Sequence, residues 1–140
     1  MEQQFEAEVR AFHAALTGWF SGTLARDGQG FSGLADVIAE DFVLISPRGV
    51  VDQAAPLMAQ IEGAHGVQSG VAFSIRTENH QVRFADDSHC LGTYEEWQER
   101  EGVTSARLST VLFRVREDRR HGLEWLHLHE TWLKGYAPEG

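Results

Sequence analysis

The hydrophobic period of this chain switches from helical to strand-like near Gln68, and any workable fold has to satisfy both halves. Before the switch, Phe5, Val9, Phe12, Leu16 and Phe20 recur every three or four residues. They form one apolar stripe along a helix, widened by Trp19 and Leu24. Gly18 and Gly22 weaken its end, and Asp27-Gly28-Gln29-Gly30 breaks it. A second, short helix is expected with Ser32 as its cap and Leu34, Val37 and Ile38 as its apolar face. Asp41 to Ser46 reads as a strand, Pro47-Arg48-Gly49 as a turn and Val50-Val51 as a brief return. Asp52 is expected to open a third helix carrying Ala54, Leu57, Met58 and Ile61, stopped at Gly63 or Gly66. After the switch, Val71, Phe73 and Ile75 alternate with polar residues, as do Val82 and Phe84. Long strands follow over His89–Glu99, Thr104–Val115 and Leu123–Leu133, with a hairpin at Glu101-Gly102 and a polar turn over Glu117–Gly122. Helices first and an antiparallel meander after them make an α+β fold.

Composition narrows the function classes. A chain of 140 residues without linker or repeat is expected to be one domain, residues 1–140. The formal charge of −9 repels phosphate backbones, so no nucleic-acid partner is expected. Cys90 is the only cysteine, which excludes an intrachain disulfide and a cysteine-based zinc site. The start MEQQFEAEVR lacks the basic, apolar pattern of a signal peptide, and the longest apolar run is Phe42 to Ile45. The expectation is a cytoplasmic protein with no membrane partner.

The order helix, helix, short strand, helix, long meander resembles the nuclear transport factor 2-like superfamily, on its SnoaL-like and calcium/calmodulin-dependent kinase II association-domain-like side. Phe42-Val-Leu-Ile-Ser-Pro-Arg-Gly49 looks like the short first strand and turn of that superfamily. Trp125-Leu-His-Leu-His-Glu-Thr-Trp132 is similar to the last strand of the association domain. The resemblance implies a cone: N-terminal helices packed on a curved antiparallel sheet, with an open pocket and a homodimer formed on the outer sheet face. It implies function weakly, because the superfamily holds isomerases, dehydratases, polyketide cyclases, epoxide hydrolases and pure association domains. Arginines of the association-domain pocket fall at Glu130, near Glu95 and near Thr110, so an anionic ligand is not expected here.

Residues two apart on a strand share a face. On the last strand Leu126, Leu128, Glu130 and Trp132 make one face, expected to line the pocket; Trp125, His127, His129, Thr131 and Leu133 make the other, expected outside. Glu95 shares a face with Leu91 and Trp97 and is expected inside, which puts Tyr94 outside. The candidate catalytic residues are therefore Glu130 and Glu95, with Trp97, Leu126, Leu128, Trp132 and Thr110 as pocket lining. Two carboxylates in one apolar pocket push their pKa values apart, the condition for acid–base work near neutral pH. The competing reading pairs one or both with Arg107, Arg76 or Arg114 as structural ion pairs. His127-x-His129 has the spacing of a metal pair, but no third ligand is singled out, and a sheet-surface or dimer-facing role is expected instead; no metal and no cofactor is assigned. His13 and His65 fall on or near helices and read as surface residues, and His121 falls in a turn. Two functions remain open: proton-transfer chemistry of isomerase, cyclase or dehydratase type on a small, mostly apolar molecule, or a non-catalytic ligand-binding or association module.

Overall fold

The structure, a computed structural model, describes residues 1–138. Three helices, α1 (Glu2–Ser21), α2 (Gly28–Ala35) and α3 (Ala54–Gly63), accompany six strands: β1 (Ile38–Ile45), β2 (Val51–Gln53), β3 (Phe73–Ala85), β4 (His89–Arg100), β5 (Val103–Val115) and β6 (Leu123–Trp132). The strands form one sheet in the order β2-β1-β6-β5-β4-β3. Its pairings are antiparallel except β1 with β6, which run parallel. The α+β class and the helices-on-sheet architecture expected from the sequence are the observed ones.

The helix stripe packs as its spacing requires. Phe5, Val9 and Phe12 are buried; Phe5 meets Phe113 edge-on at 5.7 Å, and Phe12 lies 4.8 Å from the Trp125 ring. α1 ends where Gly22 takes a left-handed φ of 78°, a conformation glycine adopts without strain. Two starts differ from expectation. Asp27, not Ser32, caps α2, its carboxylate accepting from the Gly30 N–H at 2.7 Å. Asp52 lies in β2 and Gln53 is the residue before α3. Val37 and Ile38 leave α2 and lead into β1, because the parallel pairing of Ile38 with Trp125 outcompetes another helical turn. Glu101 and Gly102 both have positive φ, 52° and 80°, which matches the two-residue hairpin turn that follows strand twist.

A buried charge ties the loop after β5 to α1. Glu8 is fully buried, receives Arg120 at 3.0 and 2.8 Å, lies 3.1 Å from the His121 ring, and accepts from the Trp125 indole N–H at 3.0 Å. That bond fixes the ring of Trp125, which in turn walls the space between helices and sheet.

Candidate functional site

Between the helices and the inner sheet face lies a cavity of about 220 Å³. Its walls are apolar: Phe12, Leu16 and Phe20 from α1, Leu57, Met58 and Ile61 from α3, and Ile38, Phe42, Leu44, Trp125 and Leu128 from the strands. Its polar end is built by His13, Glu96, Gln98, Arg107 and Glu130.

These side chains make one linked cluster. His13, on the α1 stripe, hydrogen-bonds the Val9 carbonyl through Nδ1 at 2.7 Å, which leaves Nε2 to face Glu96 Oε1 at 2.9 Å. Gln98 donates to the other Glu96 oxygen at 2.6 Å, and Arg107 Nε lies 3.9 Å from it. Arg107 Nη1 donates to Glu130 Oε1 at 3.1 Å, and Ser109 donates weakly to Glu130 Oε2 at 3.4 Å. The Arg107 guanidinium also lies over the Trp132 ring at 5.0 Å. The Tyr94 hydroxyl is buried beside Ser109 with no partner in hydrogen-bonding geometry among the described residues.

The cluster splits its two carboxyl groups. Burial pushes Glu130 up, the neighbouring Glu96 charge adds to this, and Arg107 only partly opposes it, leaving Glu130 at about 7. Burial also acts on Glu96, but the charge and hydrogen bond of His13, with Arg107 and Gln98, outweigh it and hold Glu96 down at about 2. Burial disfavours the charged His13 ring, yet Glu96 and the Val9 carbonyl outweigh it and raise its pKa. The Tyr94 phenol is pushed well above its usual value by burial and by both carboxylates. The result is one carboxyl group fixed as an anion and one that changes protonation near neutral pH.

The expected site residues divide between the two sheet faces. Glu130 and Leu128 face the cavity, as the alternation on β6 places them. Glu130 also forms the ion pair with Arg107 that the competing reading named. Glu95 does not face the cavity: it is half-buried on the opposite face, bonded to the Trp97 indole N–H at 3.0 Å, and Glu96 takes the inner position. Trp97 is likewise on that outer face, covered by Tyr136 at 4.7 Å and by Arg76 at 5.1 Å. The inner face of β4 carries Cys90, Gly92, Tyr94 and Glu96. Apart from Tyr94 this face is polar or small, and α1 supplies the bulk at Gly92: the Phe5 ring fills the space a side chain there would need. Thr110 is exposed on the outer face opposite His129. Leu126 is the extra residue of a bulge between the Phe113–Trp125 and Leu112–His127 pairs; the bulge turns Trp125 inward against the expected alternation. Trp132 is half-exposed and meets the site only through Arg107. His13 is buried, not a surface residue. It stands four residues after Val9 on the same stripe, a position that points inward but that only its partner Glu96 from β4 explains.

A larger groove of about 360 Å³ lies on the outer face, among Arg83, Thr93, Glu95, Leu108, Thr110 and His129. Most of its side chains are exposed or half-buried, and the buried Tyr94, Ser109 and Glu130 border it as well; the whole linked set of His13, Glu96, Arg107 and Glu130 lines only the smaller cavity, which we take as the site. His127 and His129 lie on that outer face, half-buried and exposed respectively. Among the described residues no group of three His, Cys, Asp or Glu side chains is arranged to hold a metal ion, and no helix is long and apolar enough to cross a membrane.

Comparison with known proteins adds the following. The sequence model of the family described as the C-terminal region of sucrose-6-phosphate phosphohydrolase matches residues 6–134. Sucrose-phosphatase 2 of Nicotiana tabacum is 26% identical over 132 residues, covering 93% of this chain and 31% of that protein. The chain thus spans about a third of the length of the curated relatives it matches. Among solved structures, an NTF2-like protein of unknown function from Pseudomonas aeruginosa superposes with a TM-score of 0.81 at 26% identity, covering 93% of this chain and 98% of that one. A calcium/calmodulin-dependent kinase II hub homology domain from Chlamydomonas reinhardtii superposes with a TM-score of 0.67 at 14% identity, covering 94% and 98%. At that identity the hub domain bears on the fold alone; the nuclear transport factor 2-like fold is that of the Pseudomonas aeruginosa structure.

Proposed function

The chain belongs to the sucrose-6-phosphate phosphohydrolase C-terminal family, and from that premise we propose that residues 1–140 form one homodimeric cytoplasmic domain that binds a small, mostly apolar molecule in the cavity and exchanges a proton with it. The observation that carries this reading is the split of the two buried carboxyl groups, Glu130 at about 7 and Glu96 at about 2, at the polar end of an apolar cavity. A group with a pKa near the working pH is the efficient general acid or base, and such catalysis contributes about 10²–10⁴-fold. Glu130 is the acid–base group in this scheme. Glu96, His13 and Arg107 set its protonation, and Glu95 has no part in it. Isomerase, cyclase or dehydratase chemistry all begin with the proton transfer that Glu130 would perform.

The test uses a small apolar ketone, acetophenone, in D₂O. Wild-type protein is expected to accelerate exchange of the methyl protons, followed by proton NMR, and Glu130→Gln to lower that rate about 100-fold. Exchange that is equal in both proteins removes Glu130 from the chemistry.

A second reading is a non-catalytic ligand-binding or association module. Its support is the hub-domain fold likeness and the match to only a third of the curated sucrose-phosphatases. Binding of the ketone with no exchange in wild type favours it. Both readings include the homodimer, built on the outer face near His127 and His129.

A further inference from the structure

The charges at the end of the cavity restrict what can enter it. His13, Glu96, Arg107 and Glu130 are two bases and two acids joined in one cluster, and when all four are ionised their formal charges cancel. The cluster is also unevenly satisfied. Glu96 is bonded by His13 and Gln98 and backed by Arg107. Arg107 spends one hydrogen bond on Glu130, and its Nη2 has no hydrogen-bond partner among the described residues. Glu130 Oε2 holds only the long contact to Ser109. The free capacity is one donor on Arg107 and one acceptor on Glu130, two residues joined by a hydrogen bond and both lining the apolar cavity.

Three kinds of ligand head meet this capacity differently. A carboxylate would enter beside Glu96 and Glu130 and leave a net negative charge out of water, which is costly without a further cation. A pure hydrocarbon would cover the donor and the acceptor and leave both unpaired. An uncharged oxygen accepts from Arg107 and turns its adjacent C–H or O–H toward Glu130, leaving the charge balance intact. The space sets the size. An apolar cavity of about 150 Å³ takes benzene, so 220 Å³ suits a ring with a short substituent.

Resting on the ligand reading above, we infer that the cavity takes an uncharged, apolar molecule of about ten non-hydrogen atoms with a single carbonyl or hydroxyl oxygen seated between Arg107 and Glu130, and that it rejects the carboxylate of the same shape. Arg107 is then the specificity-determining residue.

The experiment is calorimetric titration of the full chain at pH 8 with three probes of one body: acetophenone, benzoate and ethylbenzene. Acetophenone is expected to bind at least tenfold tighter than either of the others. Arg107→Lys, which keeps the charge and loses the fork, is expected to erase at least tenfold of the preference over ethylbenzene. Met58→Trp fills the cavity from α3 without touching the charged cluster and is expected to abolish binding while circular dichroism stays native. Benzoate binding as tightly as acetophenone, or ethylbenzene doing so, overturns the inference while leaving the cavity a ligand site. Binding that survives in Met58→Trp places the ligand elsewhere and overturns it too. If none of the three binds, the ligand reading fails, and this inference with it.

Discussion

His13 and Glu96 hold opposite charges against each other out of water, so removing the ring leaves a buried carboxylate with too little compensation. His13→Ala is expected to cost about 3–5 kcal/mol, read from urea denaturation at pH 6, and Glu96→Gln in the same background to recover part of it. Glu130 gives a pH signature of definite sign. Its folded pKa, about 7, lies above the ordinary 4.5, so the folded state binds the extra proton between those values. Stability from this group is full below pH 4.5 and is lost as pH rises through 7, on the order of 3 kcal/mol. His13, raised above 6.5, acts in the same direction at higher pH, and Glu96, lowered to about 2, contributes stability lost only as pH falls below 4.5. Wild-type stability should therefore decline from pH 5 to pH 8 in denaturation curves, and Glu130→Gln should flatten that decline; an unchanged slope in the variant would assign it to other groups. At this scale the sequence was partly readable. Glu130 stood out as a carboxylate among apolar neighbours. His13 and Glu8 did not, because a polar residue on an apolar stripe reads as an interruption until its partner from β4 or from the loop after β5 is known.

The elements explain why one strand face was legible and another was not. Alternation on β6 put Leu128 and Glu130 on the inner face, but the bulge at Leu126 carries no signal in residue type and reverses Trp125. On β4 Leu91 and Trp97 look outward, while the inner face carries one large side chain, Tyr94, and is thinned at Gly92 to admit Phe5. Counting hydrophobic bulk on the strand alone thus selects the wrong face and, with it, Glu95 over Glu96. Gly92→Ala should destabilise by about 1–3 kcal/mol through overpacking against Phe5. Phe5→Leu should be less damaging in that background than in wild type, a coupling that a double-mutant cycle in urea measures directly. Independent, additive effects would mean that α1 can shift to make room.

At the scale of the whole molecule, the change of period at Gln68 is the signal that survived intact, because segregated helices and strands leave few architectures that bury both stripes. What the period could not give is the cavity, which exists because α3 and the curved sheet hold their apolar side chains apart from Phe12 and Phe20. The outer face, with Leu108, Thr110 and His129 exposed, is where the proposed homodimer would form. Sedimentation at micromolar concentration is expected to give a dimer, and Leu108→Arg to shift it toward monomer; a wild-type monomer would remove the dimer from the proposal. The central claim is that Glu130 changes its protonation near neutral pH inside a ligand-holding cavity. Carbon-13 NMR titration of the glutamate side-chain carboxyls tests it most directly. The account predicts one carboxyl with a midpoint near 7, absent from Glu130→Gln and displaced when acetophenone is added. A Glu130 carboxyl titrating at or below 4.5, or one indifferent to the ketone, would contradict it.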